Sequence, residues 1–153
     1  MARERTPLNG YVHIKAWEKQ ADGSEKLIKD DTIKNLVVTV GKDAILKFLG
    51  NNSGGGYAAD IGVGDSTTAA AVGQTDLQGT AVWKTIVTAD RVFITPTLYI
   101  STEFGYSEAN FTWNEMGIRD NHGTTILWAR QIDASPLVKT SSKRAIVEWQ
   151  LSM

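Results

Sequence analysis

The chain contains no cysteine. Disulfides and thiolate metal sites are therefore excluded, and the fold must be held by packing or by neighbouring subunits. Histidine is scarce as well, with only His13 and His122. A metal site would have to recruit carboxylates such as Asp60, Asp65 or Asp120, yet no i,i+4 or H-E-x-x-H spacing offers one. No metal and no cofactor are expected, and both histidines read as solvated. An excess of one charge sign is missing too: 16 basic against 17 acidic residues leave a formal charge of −1. Such balance gives no general attraction to nucleic acid or to an anionic membrane. No window approaches the roughly 20 apolar residues that span a bilayer, so no membrane insertion is expected. The first ten residues lack the apolar run of a signal peptide, which points to synthesis in a cytoplasm.

What is present suits one domain. A length of 153 residues with 42% hydrophobic and 22% charged side chains allows a real core and argues against disorder. Residues 1–10 are charged and unlike a core segment, and read as an N-terminal arm that orders on assembly; residues 11–153 read as a single domain. Tyr11, His13, Lys15 and Trp17 alternate with Val12, Ile14, Ala16 and Glu18, the period-2 signature of a strand. A turn at residues 21–24, with Gly23 at positive φ, returns the chain as a hairpin over 26–34, and residues 36–39 extend that strand.

Residues 40–49 change period. Ala44 pairs with Phe48 and Ile45 with Leu49 at i,i+4, predicting a helix with Thr39 as N-cap, Asp43 in its first turn and Gly50 as a left-handed C-terminal residue. Residues 51–56 read as a flexible loop without bulk to pack. A short strand follows at 57–63, then a small, polar loop from Ser66 to Gln74. Strands are expected over 81–94, 97–104, 111–119, 124–132 and 144–152, with a hairpin turn at 120–123. In the last strand Ala145, Val147, Trp149 and Leu151 share one face. About eight strands and one helix predict a mostly β fold, an antiparallel sandwich or barrel.

Few motifs carry chemistry. Gly62-Val-Gly64 lacks the Lys, the hydroxyl and the following helix of a phosphate loop, and reads as a sharp exit from a strand. Glu115 lies amid Trp113, Met116 and Ile118. It is either a general acid or base, or a structural carboxylate that accepts backbone N–H bonds and pins a neighbouring loop to the sheet. The absence of a partner nucleophile favours the second. No nucleophile elbow is present, and no enzymatic activity is expected. Five tryptophans sit in predicted strands, most of them core, with one or two free for an interface or a sugar-stacking platform.

Three segments carry a family resemblance. Residues 35–49, NLVVTVGKDAILKFL, are similar to a strand-to-helix segment of small phage structural proteins. IGVGDSTT at 61–68, with QTDL at 74–77, resembles a segment of those proteins and of tail-collar fibre proteins. WNEMGIRD at 113–120 and LWAR at 127–130 resemble their paired strands. The chain thus resembles virion proteins of tailed bacteriophages, of the tail, baseplate or fibre group. Unlike collar-type fibres it has no repetitive shaft. The resemblance implies a non-enzymatic subunit made in the host bacterial cytoplasm and located in the virion. It also implies a symmetric homo-oligomer that contacts other virion proteins. Contacts are expected at sheet edges, exposed aromatics and the loops 51–56 and 65–79, with Tyr57, Asp65, Ser66, Thr67, Thr68, Gln74 and Asp76 as candidate interface residues. Capsid decoration is an alternative within the virion. A carbohydrate-binding module or adhesin for a host-surface glycan is an alternative of another class.

Overall fold

A computed structural model describes residues 8–50, 57–120 and 125–152. Two antiparallel five-stranded sheets face each other across one core. The chain forms β1 (Asn9–Lys19), β2 (Glu25–Lys34), β3 (Leu36–Val37), α1 (Thr39–Leu49), β4 (Ala58–Gly64) and β5 (Ala81–Thr85). A 3-10 turn (Thr88–Asp90) leads to β6 (Arg91–Ile94), β7 (Thr97–Phe104), β8 (Thr112–Asp120), β9 (Ile126–Val138) and β10 (Lys143–Ser152). The first sheet has the order β2-β1-β10-β7-β6 and the second β3-β9-β8-β4-β5. The mostly β, antiparallel sandwich class expected from periodicity is the one observed, with ten strands among the described residues rather than about eight.

Period-2 strands sit where alternation placed them. Val12, Ile14 and Ala16 of β1 meet Trp149, Val147 and Ala145 of β10 in register, all buried. From the second sheet Ile61, Val63, Met116 and Ile118 close the core, and Phe104 packs edge-on against Trp113 with centroids 5.1 Å apart. Trp113, Trp128 and Trp149 are core, while Trp17 and Trp83 are half-exposed, each under a guanidinium: Arg144 at 4.2 Å and Arg119 at 4.1 Å. Gly23 has the positive φ (84°) expected of its turn.

Several local expectations are corrected. Leu36 and Val37 do not prolong β2; they cross to the second sheet and pair with Arg130 and Ala129. The switch occurs at Asn35, whose N–H donates to Gly10 O at 2.9 Å. The helix begins at Thr39 with Val38 as N-cap, and no side chain caps it. The Thr39 N–H, one of the orphan donors of the first turn, donates to Val72 O at 2.9 Å, supplied by a distant loop. Asp43 pairs with Lys47 at 2.7 Å rather than serving the first turn. Gly50 has φ −81°, not a left-handed value, because its N–H continues the ladder to Leu46 O.

Residues 81–94 are not one strand. The chain leaves the second sheet after β5, buries Ile86 with its N–H on Ala59 O at 2.7 Å, and enters the first sheet as β6. β9 runs to Val138, beyond the expected end at residue 132, with its register against β8 broken between Trp113 and Glu115. Of the proposed N-terminal arm, Asn9 and Gly10 belong to β1, where they pair with Ser152 and Leu151. Residues 1–7, the expected loop 51–56 and His122 in the expected 120–123 turn lie outside the described residues.

Candidate functional site: a clamped loop on the second sheet

Sixteen residues (65–80) join β4 to β5 and lie over the outer face of the second sheet. Large apolar groups are rare in this stretch, so burial alone cannot hold it. Polar bonds close its base: Thr80 N–H donates to Asp65 Oδ1 at 2.8 Å, Asp65 N–H to Thr80 O at 3.2 Å, and Asn114 Nδ2 to Asp65 O at 2.8 Å. Its one buried apolar side chain, Leu77, sits with Trp83 and Leu127 above Gly117, where any β-carbon would meet all three.

The centre of the loop is held by two fully buried charges. Glu115 on β8 and Arg130 on β9 both project from the outer face and meet Nε to Oε2 at 2.7 Å. Glu115 also accepts the backbone N–H groups of Gln78 at 3.0 Å and Gly79 at 2.8 Å. Arg130 donates onward to Thr68 O at 2.8 Å and Gln74 Oε1 at 3.0 Å. Gln74 ties the far end: its Oε1 accepts Ala71 N–H at 2.9 Å and its Nε2 donates to Ala69 O at 3.0 Å. Sheet, ion pair and loop form one connected network in which each buried charge has a partner.

The glycines of 62–64 serve this packing rather than a sharp strand exit. A β-carbon on Gly64 would lie 2.5 Å from Glu115 Oε1, and one on Gly62 would lie 2.5 Å from the Trp83 ring. Neither has positive φ; close approach is what excludes a side chain.

Of the candidate interface residues, Asp65, Thr67, Thr68 and Asp76 are exposed along the loop, and Ser66 and Gln74 are half-buried. Ser66 Oγ accepts Thr68 N–H at 3.1 Å, and Asp76 Oδ1 accepts Leu77 N–H at 2.8 Å. Tyr57 is not with them. It precedes the other end of β4, roughly 20 Å away along seven residues of strand, with the Arg91 guanidinium 5.2 Å from its ring. Sequence reasoning singled out Glu115 and Gln74 but missed Arg130, whose signal was a lone charge in the otherwise apolar run Ile126–Arg130.

Chemically, Glu115 is closed to solvent and both of its oxygens are committed to donors, so a substrate has no access to it. Two further clusters are buried or half-buried. Lys139 Nζ, 2% exposed in the residue as a whole, donates to Gly105 O at 2.7 Å, Asn110 Oδ1 at 2.9 Å and Glu108 O at 3.0 Å. Burial holds its ammonium below the ordinary lysine range. Arg119 Nε meets Asp60 Oδ2 at 2.9 Å. Among the described residues no group of three or more His, Asp or Glu side chains is arranged to hold a metal, and no helix is long and apolar enough to cross a membrane.

Compared with known proteins, the chain matches no family model, no curated protein and no solved structure.

Proposed function

We propose that the chain is a non-enzymatic structural subunit of a tailed-phage virion, part of the tail, neck, baseplate or fibre-attachment apparatus. The observation that carries this reading is the clamped loop. A long polar segment spends two buried charges on being held still, while Thr67, Thr68 and Asp76 remain exposed on its surface. An assembly subunit needs such a surface, because a preformed contact loses little conformational entropy on docking. The sequence resemblance to phage virion segments supplies the class of partner: other virion proteins and further copies of this chain. Capsid decoration is the same chemistry at another place in the particle.

A reading of a different class has its own support. The outer face of the first sheet carries a shallow depression of about 370 Å³ lined by His13, Lys15, Trp17, Ser101, Ile146 and Glu148. Arg144 covers one face of the Trp17 indole at 4.2 Å, and the hydroxyl, ammonium and carboxylate groups beside it suit the hydrogen bonding that a glycan requires. Loss of glycan binding in Trp17→Ala with an intact fold would favour an adhesin.

The deciding experiment is copy number per particle, by quantitative mass spectrometry of purified virions against the major capsid protein. A few to a few dozen copies support the tail, neck or baseplate reading. Hundreds of copies transfer the protein to head decoration, and absence from particles overturns both.

A further inference from the structure

The two free edges of the first sheet are built differently. β2, at one edge, carries six charged residues in ten: Glu25, Lys26, Lys29, Asp30, Asp31 and Lys34. Charge of this density keeps an edge from pairing with another chain. At the opposite edge β6 reads Arg91-Val-Phe-Ile94, pairs among the described residues only with β7, and leaves Val92 46%, Phe93 67% and Ile94 61% exposed. Its one charge does not guard it. The Arg91 guanidinium turns away to donate to Ala58 O at 3.1–3.2 Å and Ile86 O at 3.0 Å.

Beside β6 lies an apolar groove of about 290 Å³ whose walls include Phe48 and Leu49 of α1 with Phe93, Leu98 and Leu151. Leu46, Phe48 and Leu49 are each more than half exposed. Strand alternation sets Phe93 on the groove side with Phe48 and Leu49, and Val92 and Ile94 on the other face, so exposed apolar side chains flank this edge on both faces.

We propose that two copies of this chain pair through β6, antiparallel about a two-fold axis, joining their first sheets into one continuous sheet with the α1 apolar residues packed across the seam. A two-fold sets each patch against itself, so the contact is closed and isologous. Alternate residues of β6 point their N–H and C=O outward, which gives the strand a main-chain ladder to share. Arg91, turned inward, keeps its own charge off the β6 seam. The proposal names a surface and a partner for the assembly subunit above and rests on that reading for its purpose, not for its geometry.

Sedimentation velocity over a concentration series tests it on the full chain, the Val92→Lys variant and the Phe93→Lys variant. The expected result is a wild-type dimer and monomeric variants with unchanged near-ultraviolet circular dichroism. If the variants misfold, hydrogen exchange on the wild type decides, with protection of the β6 amides expected to rise with protein concentration. A monomeric wild type, a trimer, a dimer that survives both substitutions, concentration-independent β6 exchange or a monomer that seats an unrelated apolar strand on β6 would each overturn it. Copy number in virions reads the functional proposal separately, so either can fail alone.

Discussion

Replacing Glu115 by Gln tests whether the buried ion pair holds the loop. The side chain keeps its size, but one carboxylate oxygen becomes an NH₂ group. The two oxygens receive different backbone donors, Gln78 N–H on Oε2 and Gly79 N–H on Oε1, and Oε2 also takes Arg130 Nε. In the variant one of these donors faces another donor, and the Arg130 charge is left buried without its counter-ion. Removing one member of a buried pair costs about 3–5 kcal/mol. For a chain of this length that corresponds to a fall in Tm on the order of 6–20 °C. Arg130→Met should cost a similar amount, since it strands Glu115 and unpairs Thr68 O. The double variant should not cost the sum: with both charges gone only ordinary hydrogen bonds are missing, at about 1 kcal/mol each. A coupling energy of about 3 kcal/mol or more, the upper end of the usual range, is therefore expected from urea unfolding of the four proteins. Hydrogen exchange at the Gln78 and Gly79 amides should rise sharply in both single variants. Additive single effects, or singles costing less than about 1 kcal/mol, would refute the clamp.

Three other perturbations have defined outcomes. Gly64→Ala places a β-carbon 2.5 Å from Glu115 Oε1; it should cost about 1–3 kcal/mol as an overpacking change and loosen the same loop amides. Lys139→Met leaves Gly105 O, Asn110 Oδ1 and Glu108 O without their shared donor, and a loss of about 1–3 kcal/mol in urea unfolding is expected. Glu25 accepts two bonds from Arg144 at 2.8 Å and one from the Tyr106 hydroxyl; these hold its carboxyl at about 2, below the ordinary 4.5. A depressed carboxylate stabilises the fold above its unfolded value and loses that contribution as pH falls through its folded value. The stability difference between wild type and Arg144→Gln should thus be constant at neutral pH and shrink between pH 4.5 and about 2; a difference that holds throughout acid unfolding would sink this assignment.

Legibility in the sequence followed from how local the determining interactions are. β1 and β10 were readable because period-2 alternation reports one buried face, and both strands bury one face on the same core. β7 was delimited by Pro96 and Gly105 and spans Thr97–Phe104. The partner sheet of a strand is not a local property. Leu36 and Val37 look like a continuation of β2, yet Asn35 bonds back to Gly10 and the next two residues belong to the opposite layer. The run from 81 to 94 is rich in strand-forming residues except at Ala89-Asp90, which fall in the 3-10 turn. Ile86 entering the core is what divides it, and no spacing rule marks that residue apart from its neighbours. The helix start was misread by one residue because the Thr39 N–H is taken by Val72 O, supplied from 33 positions away. In the clamp Glu115 stood out as a carboxylate among apolar groups, whereas Arg130 acquires meaning only when β8 and β9 pair.

That network also limits how the loop can work. A lid must open at modest cost, and its hinges must absorb the change. Lifting residues 65–80 would expose Leu77, break the two backbone bonds to Glu115 and strip Arg130 of Thr68 O and Gln74 Oε1 together. Water would reach the uncovered ion pair, so the cost of opening is the loss of these loop-to-sheet hydrogen bonds, about 1 kcal/mol each, together with the exposure of Leu77. Opening would also withdraw Val72 O from the first turn of α1, whose apolar residues flank β6. The loop is consequently a fixed surface. A partner docking there would have to match Thr67, Thr68 and Asp76 as they stand, and rigid docking would change the exchange rates of Gln78 and Gly79 little beyond direct coverage.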